Sequence, residues 1–236
     1  MPPLVFTTLR AREGRPWLWP AHLERLREGA ARFGAPPPPE DLLERVRDKT
    51  RGIGDARGRV GLGPPDPLVE ARPYVEPLGP WTLSPVEAPW SPGEDTMRWK
   101  TTARDGYDRA RAAAGGADDA LLTGPGGAFL ETTVANVFFV MQDGGLRTPP
   151  ESQQILPGVA RAAVLREAAA LGIPAREAAC GLREAAAARE CFVSNALLLA
   201  WPVASIEGVA RYREGPVARR LRERLLRTAL PPRIIR

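Results

Sequence analysis

The chain is 236 residues long, 44% apolar and 26% charged. That length and balance suit a globular protein with a substantial core and exclude a disordered or fibrous one. Its net charge of +5 rests on 31 arginines against two lysines, Lys49 and Lys100, with two cysteines, Cys180 and Cys191, too few for a disulfide framework.

In chain order, "LVFTTLRA" (4–11) alternates and is β-branched, which predicts a strand. A turn at Glu13-Gly14 leads to a second short strand, "RPWLWP". "AHLERLREGAARFG" (21–34) sets Leu23, Leu26, Ala30 and Phe33 on one face and stops at Gly34, an amphipathic helix. Four prolines (36–39) separate it from a second helix within "PEDLLERVRDKTRG". "RGRVGLG" and "PLVEARPYVEP" predict a strand pair turning at Pro64-Pro65. The first half is therefore expected to be an α+β unit, antiparallel strands with helices to one side.

Residues 78–99 are rich in proline and tryptophan and contain the strand-like "WTLSPVEA", a crossover into a second unit. There "RDGYDRARAAAGG" predicts a helix and 118–150 a β-meander with Gly-rich turns. "PGVARAAVLREAAALG" and "LREAAAAR" predict helices; "ECFVSNALLL" is a strand running into a turn, and "WPVASIEGVAR" a strand. The closing segment repeats Val217, Leu221, Leu225, Leu226 and Leu230 at helical spacing, so its arginines fall on a solvated face. No run approaches 18 apolar residues and no signal pattern opens the chain. A cytoplasmic protein with no membrane partner is expected.

Three features carry chemistry. Lys100 lies beside Trp99, and a desolvated lysine can act as nucleophile or proton carrier. "LPGVAR" (156–161) opens a helix with glycine and leaves amides exposed at the positive dipole end, a ready anion site. "FLETTVANVFFV" sets Glu131 and Asn136 in an apolar β segment, where a carboxylate needs partners. Each has a plainer reading: a solvated lysine, a Pro-Gly helix start, an edge strand facing water.

Together, "ETTVANVF" (131–138), "LRT" (146–148) and "LPGVAR" resemble, in residues and spacing, the class IV aminotransferases, pyridoxal 5′-phosphate enzymes. "AHLERLREGAARFG", Lys100 and "FVSNALLLAWPVASIEG" extend the resemblance over nearly the whole chain. It implies an α+β, two-domain fold: a small N-terminal α/β sandwich over 1–88, a linker over 89–99, and a larger pseudo-barrel domain over 100–236. It also implies that Lys100 forms the Schiff base and Glu131 pairs with the pyridinium nitrogen. Arg25, the amides of Val159 and Ala160, and the turn Asn195-Ala196 would hold the phosphate. Lysine can do what arginine cannot, since arginine stays protonated near neutral pH.

"FTTLR" and "SNA" resemble the lyase branch of the family, which cleaves 4-amino-4-deoxychorismate to 4-aminobenzoate and pyruvate for folate synthesis. On that resemblance Thr8 and Asn195 line the site, Thr8 on the catalytic and substrate side. The freed Lys100 takes the substrate's C4 proton, and Arg104 meets a substrate carboxylate. Family members begin with a further strand and a "GDGVF"-like turn, and Asp105 stands where branched-chain enzymes place a tyrosine five residues after the lysine. The resemblance implies a homodimer with a small-molecule substrate, and neither a metal nor a nucleic-acid partner is expected. An aminotransferase for D- or branched-chain amino acids is the alternative, and a basic nucleic-acid-binding protein the reading from another class.

Overall fold

The computed structural model describes residues 4–89 and 95–229. Leu230 of the closing helical pattern and residues 90–94 of the expected linker lie outside them. The chain divides into two compact units: described residues 4–76, 99–103 and 226–229, and described residues 77–89, 95–98 and 104–225.

In the first unit, β1 (Val5–Arg12), β2 (Arg15–Pro16), β3 (Asp55–Leu62) and β4 (Leu68–Pro73) form an antiparallel sheet in the order β2-β1-β3-β4. Helices α1 (Trp19–Phe33) and α2 (Leu42–Thr50) pack their apolar stripes on one face of it. Val5, Leu9 and Ala11 point from alternate positions of β1 into a core with Leu26, Ala30, Leu42 and Val46. Helix α1 begins two residues before the sequence suggests. Leu18, at φ 51°, turns the chain sharply. Pro20 then falls in the first turn, where its missing N–H has no intrahelical partner to lose. "RPWLWP" is therefore mostly turn and helix.

The second unit contains β5 (Trp81–Glu87), α3 (Asp105–Ala113), β6 (Asp119–Thr123), β7 (Phe129–Thr132), β8 (Asn136–Val140) and β9 (Leu146–Thr148). It continues with α4 (Val159–Ala170), β10 (Ala175–Glu177), α5 (Leu182–Ala187), β11 (Glu190–Ser194), β12 (Trp201–Ile206) and β13 (Ala210–Arg211). The last helix is α6 (Pro216–Ala229). The strands follow the order β10-β9-β8-β11-β12-β5-β6-β7, with β13 on β12, and β7 also pairs with β8. That pairing closes six strands into a ring, the pseudo-barrel. Inside lie Leu83, Leu121, Phe129, Val137, Phe139, Val193 and Val203. Strand β8 is buried on both faces, with Phe138 stacked on Phe192 at 4.9 Å, which explains its unbroken apolar run.

Two boundaries differ from expectation. Strand β5, assigned by sequence to the N-terminal domain, pairs in parallel with β6 and β12. It belongs to the second sheet because its partners are buried strands of the barrel. Lys100, assigned to the C-terminal domain, lies in a segment paired with β1 in the first unit. Strand β10 was not expected; its three residues are all exposed and carry no apolar pattern.

Candidate active site

The residues that the sequence marks as functional divide between the two units. In the first, Lys100 extends the pairing of β1: Phe6 N–H donates to Lys100 O at 2.9 Å, Val5 bridges Thr101, and Thr102 N–H donates to Leu4 O at 2.9 Å. Trp99 meets Phe33 edge-on at 6.0 Å, fixing the approach to the lysine. Alternation on β1 sends Val5, Thr7 and Leu9 toward the helices and Phe6, Thr8 and Arg10 to the opposite face. On that face Lys100 Nζ sits 5.1 Å from the Phe6 ring centroid, and the Arg59 guanidinium lies 4.3 Å from the same centroid. Thr8 is directly opposite Arg59 in the β1–β3 register. Arg10 is committed elsewhere, to Asp55 and Glu76, with Tyr74 under its guanidinium.

Arg25 is half-buried on α1, one turn beyond His22. His22 is fully buried, with Nδ1 2.7 Å from Thr7 Oγ1. Burial, reinforced by the charges of Arg25 and Lys100, holds the imidazole well below its ordinary pKa of 6.5, so it is neutral. The sequence held a signal for it that motif reading passed over: positions 22, 26 and 30 form one helical stripe.

In the second unit, Glu131 is the penultimate residue of β7 and is 4% exposed. Its carboxylate accepts from Tyr107 Oη at 2.9 Å, Asn136 Nδ2 at 3.2 Å and the Leu156 N–H at 3.2 Å. Asn136 faces Glu131 in register across the β7–β8 turn and also donates to Leu156 O at 3.0 Å. Helix α4 starts just beyond, with no side-chain cap and with Val159 and Ala160 buried in its first turn. A Cβ on Gly158 would come within 2.0 Å of Asn136 Oδ1, so glycine is what lets this turn approach the asparagine.

Asn195 Oδ1 accepts from the N–H groups of Leu197 (2.9 Å) and Leu198 (2.8 Å), while its Nδ2 donates to Val134 O at 3.2 Å. The side chain thus shapes both its own turn, including Ala196, and the β7–β8 loop. Arg104 Nη2 donates to Thr133 O at 2.8 Å, and its guanidinium lies 4.8 Å from the Tyr107 centroid. Thr133 Oγ1 in turn donates to Asp119, a carboxyl that burial pushes up despite hydrogen bonds from Thr133 and Thr132. Arg104, Asn195 and Asp119 all grip one loop. Sequence reading missed Tyr107 and Asp119, since nothing local marks either as a partner of "ETTVAN".

The donor set fits pyridoxal phosphate. The first unit offers a lysine and an arginine; the second, by itself, offers a buried carboxylate kept acceptor-ready by neutral donors and open helix-start amides behind a glycine that a side chain would fill.

A Salmonella typhimurium protein named "Branched-chain-amino-acid aminotransferase" is 29% identical over 241 residues, which cover 86% of this chain and 75% of that protein. The Legionella pneumophila structure named "Putative 4-amino-4-deoxychorismate lyase" superposes with a TM-score of 0.85 at 22% identity, covering 96% of this chain and 91% of the other. A hypothetical aminotransferase from Mycobacterium tuberculosis, solved in a PLP-bound form, gives 0.84 at 22% identity over 98% and 90% of the two chains. At those identities the two likenesses show the fold alone. The family model described as "Amino-transferase class IV" matches residues 4–206. The chain therefore belongs to the class IV aminotransferases, a pyridoxal 5′-phosphate-dependent family.

Proposed function

We propose that this enzyme is a 4-amino-4-deoxychorismate lyase, with Lys100, Arg25, Glu131, Val159, Ala160, Asn195 and Ala196 serving one cofactor. The observation that carries the reading is the polar, cationic surface beside the lysine. Thr8 lies opposite Arg59, whose guanidinium shares the Phe6 ring with Lys100 Nζ. Arg57, next but one along β3, is held below its ordinary pKa by burial and then by the positive charges of Arg72 and Arg59. A local surplus of positive charge suits a dicarboxylate better than an aliphatic side chain. Arg59 is therefore a better match for a substrate carboxylate than Arg104, whose guanidinium already holds Thr133 O.

When bound, pyridoxal phosphate would supply an electron sink, and Glu131 would hold a proton at its ring nitrogen. Lys100 Nζ takes the proton from substrate C4. The substrate's C3–O bond then breaks, the Lys100 ammonium returns its proton to the departing oxygen, and enolpyruvate tautomerises to pyruvate as the ring becomes aromatic 4-aminobenzoate. A homodimer is part of this reading. The second reading, a branched-chain aminotransferase, is favoured by the Salmonella relative's name and its 29% identity.

Purified, reconstituted protein should release pyruvate from aminodeoxychorismate faster than it transfers an amino group from branched-chain or D-amino acids to 2-oxoglutarate. The reverse ranking replaces the lyase with a transferase. Borohydride should bleach the visible band and fix the cofactor on Lys100; a label on Lys49 would overturn the assignment of the lysine.

A further inference from the structure

The hydrogen bond between Tyr107 and Glu131 joins the helix that follows the lysine in sequence to the carboxylate that sequence reading assigns to the cofactor ring. Tyr107 lies in the first turn of α3, and Arg104, just before that helix, stacks on its ring. Arg104 also donates to Thr133 O, two residues beyond Glu131. The start of α3 thus holds the end of β7 by a side chain and by the backbone.

A carboxylate has about four lone-pair directions. On Glu131, Oε1 accepts from Tyr107 at 2.9 Å and Oε2 from Asn136 at 3.2 Å, and the Leu156 N–H reaches both oxygens at 3.3 and 3.2 Å. Each donor draws charge from the carboxylate and makes it a weaker base. Burial, then the charge and acceptance of Glu131, push the Tyr107 phenol well above its ordinary pKa, so it remains a donor throughout the neutral range.

We propose that Tyr107 is a positioning residue that weakens Glu131 as a base, so that the proton shared with the cofactor stays on the ring nitrogen. The proposal rests on Glu131 as the ring partner and is independent of whether the enzyme eliminates or transfers. Losing one hydrogen bond to a charged acceptor changes the partition of that proton by about tenfold. Tyr107→Phe removes one oxygen and leaves the ring beneath Arg104.

The test is 15N NMR of the holoenzyme reconstituted with ring-15N pyridoxal phosphate. The wild-type resonance should lie near the protonated limit. Tyr107→Phe should displace it part of the way toward the unprotonated limit, and Glu131→Gln should take it all the way. If Glu131→Gln moves the resonance and Tyr107→Phe does not, Tyr107 only packs and the proposal fails. If neither variant moves it, Glu131 is not the ring partner, and both assignments fall.

Discussion

Thr7 Oγ1 lies 2.7 Å from His22 Nδ1, and neither residue is exposed to solvent. The pair ties β1, which holds the Lys100 segment, to α1, which carries Arg25. His22 is the chain's single histidine, and its folded pKa is depressed below the unfolded value of 6.5. Below pH 6.5 the unfolded chain therefore binds more protons than the folded one. Stability is full above that pH and falls as the pH drops, by at most about 1.4 kcal/mol per unit. Asp119, whose carboxyl is raised, acts in the opposite sense, so the difference between proteins is the quantity to read. Urea unfolding at pH 5, 6, 7 and 8 should give a wild-type stability that declines toward acid more steeply than that of His22→Gln. Parallel curves would place a charged imidazole in the fold.

Gly158 has an ordinary φ of −70°, so alanine is unstrained there, and its Cβ would collide with Asn136 Oδ1 at 2.0 Å and press less severely on Arg161 Cβ at 3.0 Å. Gly158→Ala should fold normally and bind cofactor about tenfold more weakly, because Asn136 must release Glu131 and Leu156 O. Asn136→Ala should lose a similar amount, and the double variant little more than either alone. Titrating the stripped proteins with pyridoxal phosphate measures all three; additive losses would show that the glycine acts by another route.

Arg161, the last residue of "LPGVAR", has a side chain only 2% exposed, although its partners Glu151 and Glu177 are 41% and 46% exposed. Those ion pairs are solvated at one end and contribute little. The Pro149 carbonyl that accepts from Nη2 at 3.0 Å is buried, so its loss dominates. Arg161→Met is expected to destabilise by about 2–3 kcal/mol and Glu177→Gln by less than about 1 kcal/mol in denaturant unfolding.

Thr8 and Asn195 should separate in their effects. Asn195 caps two amides and holds Val134 O, so Asn195→Ala should lower stability by about 1 kcal/mol, and Asn195→Asp by less because the capping oxygen survives. Thr8→Val should leave unfolding nearly unchanged and slow pyruvate release by about tenfold to a hundredfold. Equal losses of elimination and transfer in Thr8→Val would reduce that hydroxyl to scaffolding.

Much was legible without coordinates. The amphipathic α1, the alternation of β1, the meander from β6 to β9 and the "LPGVAR" helix start follow from local periodicity and turn chemistry, which adjacent residues carry by themselves. The residue types of the proposed site were also chosen from sequence alone, since a lysine can form an imine near neutral pH and an arginine cannot. Only the tertiary structure decided which strands close the barrel, that β5 joins it in parallel, and what the polar side chains do. Tyr107 reaches Glu131 across 24 positions, and Asn195 reaches Val134 across 61. Partners that distant are selected by the packing of whole sheets and by the need to satisfy buried polar groups, and no local pattern along the chain records that choice.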